Sequence, residues 1–338
     1  MKPIIFKFYM LLLAFAFSNC SKKNEQNQNK LEQNSKLLLD ENINMDSISL
    51  INIISNNKLD KLEGKNLINT FKKVKEEKNF LSKNPLKSNF STNKISSSSS
   101  LQECNLQYLN WSENTGAHWY VKSNTGYNQA TGFITLPTVS VHSTNDRPYM
   151  YFGAYTTTGS LSSDAGLVYL KEDEKWHAFI NVLIWDTSIS AYKQVWKYGA
   201  AIDITNPYIS YKVSSPGSQY DYFELIVINP ANWSTITSCT VDSREVVSNS
   251  KPVNGNFDIL TLTRETTLAQ NVQNLNNGSY ILNAKWDSVY IYNNSNYSLW
   301  QCANTAEAGK ANNSSHWSKI SVNSYTSWYS DDISISYY

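Results

Sequence analysis

The sequence predicts an all-β fold, an antiparallel two-sheet sandwich, for residues 101–338, and three observations predict it. All ten tryptophans and all but one of the 22 tyrosines lie beyond residue 100, so the side chains that build rigid cores are concentrated there. The same stretch reads as short runs rich in Val, Ile, Thr, Tyr and Trp, each bounded by clusters of Asn, Gly, Ser or Pro. No long amphipathic helix interrupts the runs and none repeats at a fixed period, which sets aside a parallel α/β sheet, a propeller and a solenoid.

Taken in chain order, the first element is "MKPIIFKFYMLLLAFAFSNC". Lys2 and Lys7 form a basic start, residues 11–17 an apolar segment too short to span a bilayer, and Phe17-Ser18-Asn19-Cys20 a small-residue site ending in cysteine. The segment resembles a lipoprotein signal peptide, with Phe17 standing where that motif usually carries Leu. The resemblance implies that Cys20 becomes the lipid-bearing first residue of the mature chain. Several acyl chains, each contributing about 0.8 kcal/mol per buried CH₂, then hold it on a membrane. Ser21 rather than Asp follows Cys20, which by the same resemblance places the protein at the outer membrane or cell surface. The excess of Asn, Ser and Lys resembles that of AT-rich Bacteroidetes.

Residues 21–100 form the second element, a tether. They carry 14 Lys against nine Asp or Glu, a balance of +5, whereas residues 101–338 carry 13 Lys or Arg against 19 Asp or Glu, a balance of −6. Apolar residues at roughly helical spacing, among them Ile48, Ile51, Leu62, Phe71 and Val74, predict one or two short helices within a partly disordered spacer. "STNKISSSSS", residues 91–100, is a flexible linker that sets the domain boundary near residue 101.

The strand runs of the third element cover residues 131–141, 147–156, 165–170, 176–185, 208–213, 222–229, 234–241, 257–264, 278–292 and 331–338. Packed as two antiparallel sheets they resemble a jelly roll of the concanavalin-like kind found in lectins and glucanases; an eight-stranded barrel is the alternative. The segment "KEDEKW" puts Glu172 and Glu174 on one face if extended, the arrangement of a retaining glycosidase. Its position between two apolar runs reads more simply as a hairpin turn. The Glu-x-Asp-x-Glu and Glu-x-Asp-x-x-Glu spacings of laminarinase-like jelly rolls are absent. "YMYFGAYT" resembles a strand of the alginate-lyase jelly rolls, but the Arg-rich strand and Gln-Ile-His motif of that family are missing.

Cys104, Cys239 and Cys302 remain once Cys20 carries lipid. In an oxidising compartment two of them are expected to pair, and Cys104 with Cys302 is preferred because the ends of a compact domain lie close together. No Cys-x-x-Cys or paired-histidine spacing points to a metal. Calcium enters only through Asp331 with Asp332, or through Asp164 in "SLSSDAG". The acidic balance disfavours nucleic acid and anionic polysaccharide. No nucleophile elbow or phosphate-binding loop occurs, and no cofactor is expected.

Exposed aromatics beside Asn, Asp and Gln make platforms for neutral glycans, whose C–H faces lie flat on aromatic rings. The aromatics in polar company are Trp111, Trp119, Trp300, Trp317, Trp328 and Tyr329, several of them flanking what reads as a long polar loop over residues 298–329. Trp176, Trp185, Trp196 and Trp286 sit in strand patterns and are assigned to the core. The expectation is a surface-anchored glycan-binding domain rather than an enzyme, with a polysaccharide hydrolase or lyase and an adhesion or scaffold protein as the other classes.

Overall fold

The computed structural model describes residues 106–110, 115–270, 274–293 and 296–338. The signal segment, the tether, Cys104 and Trp111 lie outside the described residues. The described residues form the expected sandwich. Sheet A has eight strands, in the order β1 (Gln107–Asn110), β15 (Thr305–Asn312), β2 (Gly116–Thr125), β12 (Leu260–Gln270), β5 (Asp146–Thr156), β6 (Leu161–Leu170), β7 (Lys175–Asp186) and β8 (Ala191–Ile202). Sheet B has nine: β11 (Ser234–Asp242), β10 (Tyr222–Asn229), β9 (Tyr208–Ser214), β3 (Gln129–Thr135), β13 (Tyr280–Tyr292), β17 (Ser330–Ser336) and β16 (Ile320–Thr326), with β14 (Tyr297–Leu299) and β4 (Thr138–Ser140) also paired to β13. Among the described residues only the short β1–β15 pair is parallel. Two one-turn helices, α1 (Ser243–Val246) and α2 (Ser314–Trp317), cap sheet ends.

The runs rich in β-branched and aromatic residues become strands because alternate side chains reach the space between the sheets. Trp119, Val121, Phe152, Leu167, Ile180 and Val182 of sheet A meet Tyr211, Leu225, Ile281, Trp286 and Ile333 of sheet B in one apolar core. "KEDE" is the turn between β6 and β7, as expected. The run 131–141 is two strands rather than one, because Pro137 offers no N–H to a ladder.

Strands β1, β2, β8, β14, β15 and β16 lie outside the runs expected from sequence. In β8 only Ile202 is buried, so no apolar alternation marks it. β15 reads Thr-Ala-Glu-Ala-Gly-Lys-Ala-Asn, weak β formers held by pairing to β2 on one side and β1 on the other. Residues 298–329 are therefore not a long loop; they contain β14, β15, α2 and β16.

Polar ties stitch the two sheets through the core. The hydroxyls of Ser163 (β6) and Tyr211 (β9) lie 2.5 Å apart, and Trp286 Nε1 donates to Thr266 Oγ1 across 3.0 Å. Arg264 of β12 and Asp331 of β17, both fully buried, pair at 2.6 Å. Arg264 also donates to the Trp328 carbonyl at 2.9 Å, and Trp119 Nε1 donates to Asp331 Oδ2 at 2.8 Å. The guanidinium carbon lies 5.3 Å from the Trp286 ring centroid. Cys302 is disulfide-bonded, and Cys239 lies buried.

Candidate functional site

Cross-strand register decides which side chains share a face. Glu265 on β12 lies opposite Tyr120 of β2 on one side and Tyr151 of β5 on the other. Tyr151 is opposite Gly166 of β6, Gly166 opposite Phe179 of β7, and Phe179 opposite Tyr198 of β8. The adjacent row runs Thr263, Gly153, Asp164, Asn181 and Trp196. Intervening residues such as Phe152, Ala165 and Ile180 point into the core, so both rows belong to the outer face of sheet A.

Two carboxyl groups lie on this face, each against a tyrosine. Glu265, 3% exposed, receives three contacts: His118 Nδ1 at 2.9 Å from Oε2, the Thr267 hydroxyl donating at 3.3 Å, and a hydrogen bond with the Tyr151 hydroxyl. Asp164 Oδ1 accepts from the Tyr155 hydroxyl at 3.0 Å. Burial first, and then the charges of Glu265 and Asp164, push both phenols well above the ordinary tyrosine value of 10.0. Each phenol therefore stays a neutral donor through the acid and neutral range and senses both carboxylates. By sheet spacing, two strands across and one two-residue step along, the two acidic Cα atoms stand about 12 Å apart. Tyr151 and Tyr155 fill the interval.

Gly153 makes this packing possible. A Cβ there would come within 2.4 Å of Thr263 Oγ1, 3.0 Å of the Tyr155 ring and 3.1 Å of Asp164 Oδ1. The missing side chain is the space into which Asp164 and Tyr155 fold.

Behind Glu265 the support is polar. His118 Nε2 lies 3.0 Å from Thr115 Oγ1, and His118 Nδ1 lies 3.1 Å from Thr267 Oγ1. His316 of α2, its Nδ1 at 2.8 Å from Asn313 Oδ1, is held below the ordinary histidine value by burial and then by the neighbouring His118. Lys122 and Glu307 pair at 3.8 Å on the rim.

The aromatics named from sequence are placed differently. Trp119, Trp300 and Trp328 are at most 2% exposed and belong to the core. Trp317 is half-buried against Tyr108, ring centroids 5.3 Å apart, and Tyr329 packs on the core edge. Their polar neighbours in sequence are the outward-facing alternates of strands and tight turns, which is why the pattern misled. Trp185 and Trp196, assigned to the core, are exposed instead, while Trp176 and Trp286 are buried. Asp331 points inward to Arg264 and Asp332 outward to Lys285 at 3.0 Å, so these neighbours cannot share an ion. No three His, Cys, Asp or Glu among the described residues are grouped to hold a metal.

Glu265 was not singled out by sequence reasoning, and Asp164 was weighed only as a calcium ligand. The one legible signal was charge inside a strand, "LTRETTL", where Arg and Glu interrupt a run otherwise suited to burial. A cleft of about 560 Å³ lies at the end of β7, lined by Ser160, Ile184, Trp185, Asp186, Lys193 and residues 247–252.

No known protein family matches this sequence, and no curated protein does. Among solved structures, scytalido-glutamic peptidase bound to a peptide-based transition-state analog is similar at TM-score 0.43 and 8% identity, over 66% of this chain and 98% of that one. SCP-B, a member of the eqolisin family of peptidases in complex with the tripeptide Ala-Ile-His, gives 0.42 and 8% over the same shares. Similarity at that level assigns no residue or activity to this chain.

Proposed function

We propose that the outer face of sheet A is a hydrolytic site worked by Glu265 and Asp164 as a carboxyl pair. The observation behind this reading is the shared environment: two carboxyl groups on an outer face, each hydrogen-bonded by a phenol that senses both. Hydrolysis by such a pair requires one partner as the carboxylate and the other as the acid. The carboxylate takes a proton from water as the water oxygen bonds to the scissile carbon. The protonated partner gives its proton to the departing nitrogen or oxygen, and the protons balance. Because the step uses a protonated partner, turnover is expected to fall as pH rises.

The test incubates the full chain with an unfolded protein and with neutral polysaccharides from acid to neutral pH, reading new amino groups and new reducing ends separately. Glu265→Gln and Asp164→Asn should each lower the rate about 100-fold or more, the scale of a general acid or base, with melting temperatures close to wild type. Hydrolysis that survives in both variants removes the pair from the mechanism.

A further inference from the structure

Among the described residues eight large hydrophobic side chains are exposed, and five of them, Trp185, Ile189, Tyr192, Trp196 and Tyr198, belong to the β7–β8 hairpin. Along β8 the alternate residues Tyr192, Gln194, Trp196 and Tyr198 share the outer face with Asn181 and Trp185 of β7, continuing the two rows that hold the carboxyl pair. The strip from Tyr192 to Tyr198 is about 20 Å long by strand rise. Its rings are held in place: Trp196 stacks on Phe179 at 5.3 Å and 13°, Trp185 meets Tyr192 at 5.1 Å, and Trp196 meets Tyr198 at 5.8 Å. Phe179 in turn packs edge-on against Tyr151, the residue bonded to Glu265. Gln194 donates to Asn181 Oδ1 at 2.7 Å, which leaves the Asn181 amide donors and the Gln194 carbonyl for a ligand.

We propose that this strip binds an uncharged glycan chain and leads it to Asp164 and Glu265; only that delivery rests on the hydrolytic reading, and binding stands without it. Clusters of exposed rings on a rigid sheet mark ligand surfaces. Two features select the occupant. The backbone groups of β6 and β7 are consumed in ladders on both sides, while β8, the edge strand, pairs only with β7; a ligand lying across the face meets side chains, and an extended peptide pairs with backbone only along the outer edge of β8, beside the strip. Flat rings and amides suit the C–H faces and hydroxyls of a sugar lying on that face. The strip also abuts Asp164 and Glu265, which repel an anionic chain.

The experiment measures calorimetric binding by full-length Glu265→Gln protein. Its ligands are β-1,3- and β-1,4-glucan oligosaccharides, xylan and mannan oligosaccharides, polygalacturonate and unfolded casein. Binding of at least one neutral oligosaccharide is expected, weakened tenfold or more by Trp196→Ala or Tyr198→Ala. Trp185→Ala and Tyr192→Ala, at the other end of the strip, give a second reading should either of the first pair misfold. Binding by casein or polygalacturonate alone, binding insensitive to all four substitutions, or no binding overturns the proposal. A neutral glycan bound through the strip, with glycan and casein both left uncut by wild type, would refute the hydrolytic reading and spare the strip. Casein cleavage that depends on Glu265, without glycan binding, would do the reverse.

Discussion

Arg264 and Glu265 are consecutive residues of one strand and serve opposite ends, because a strand turns successive side chains to opposite faces. Arg264 enters the core, fully buried, and meets a fixed opposite charge on Asp331 with Trp119, Trp286 and Trp328 around it. Glu265 faces outward, almost equally buried, and meets a histidine, a threonine, a phenol and, beyond the phenols, a second carboxyl group. Burial alone does not separate structural charge from chemical charge. What separates them is the partner: Asp331 meets a fixed cation in the core, whereas Glu265 meets a histidine ring, a hydroxyl and a phenol on the outer face.

The largest expected effect comes from breaking the structural half. Arg264→Ala leaves Asp331 buried beside Trp119 without its cation, and removing one partner of a buried ion pair costs about 3–5 kcal/mol. The melting temperature should fall steeply, with any activity lost only through unfolding. Arg264→Met combined with Asp331→Leu should recover much of the loss, since an apolar pair of similar volume can replace a buried ion pair. If Arg264→Ala melts like wild type, the pair contributes little and the contrast with Glu265 dissolves.

A smaller effect on stability, with a sharp one on chemistry, is expected at Gly153. The methyl of Gly153→Ala has to displace the Thr263 hydroxyl, the Tyr155 ring or the Asp164 carboxyl, all ends of side chains on the outer face. Overpacking of this kind costs about 1–3 kcal/mol, and the core beneath, lined by Phe152 and Ala154, is not touched. The expected outcome is a folded protein, slightly less stable by thermal melting, whose hydrolysis drops towards that of Asp164→Asn. Unchanged turnover would mean that the position of Asp164 does not matter.

The sandwich was legible in sequence because burial writes itself as alternation: the run 222–229 places Phe223, Leu225 and Val227 in the core at every second position. The strands that escaped notice bury little or bury small groups. β8 carries its aromatics outward, so Tyr192, Trp196 and Tyr198 alternate with Lys and Gly, and nothing in that order says which face is wet. The carboxyl pair escaped for a different reason. Glu265 and Asp164 lie 101 positions apart in sequence and become neighbours only through the order β12-β5-β6, which no local pattern encodes. Trp300 and Trp328 show the converse error: polar neighbours in sequence were taken for polar surroundings in space, yet both rings are interior.

A third carboxylate sharpens the comparison at the smallest scale. Asp186, at the end of β7, has one oxygen bonded by the Ser188 amide at 2.9 Å and hydroxyl at 2.6 Å, and the other paired with Lys193 Nζ at 2.7 Å. The Lys193 bond first, then the Ser188 bonds, hold its carboxyl down at about 2 against an ordinary 3.8. Like Asp331 it is buried and pairs with a cation, but its partner Lys193 is half-exposed, where an ion pair contributes little. A folded-state value below the unfolded one means that the stabilisation is present above pH 3.8 and is lost as pH falls through about 2. Asp186→Asn should therefore melt slightly below wild type at neutral pH, with the gap closing across that acid window. The bridge also joins the strands beside Trp185 and Tyr192, so loosening it should weaken ligand binding at that end of the strip and leave the carboxyl pair unaffected. A melting gap of constant size down to pH 2 would show that Asp186 acts through turn geometry rather than charge, and would place it with Gly153 rather than with Arg264.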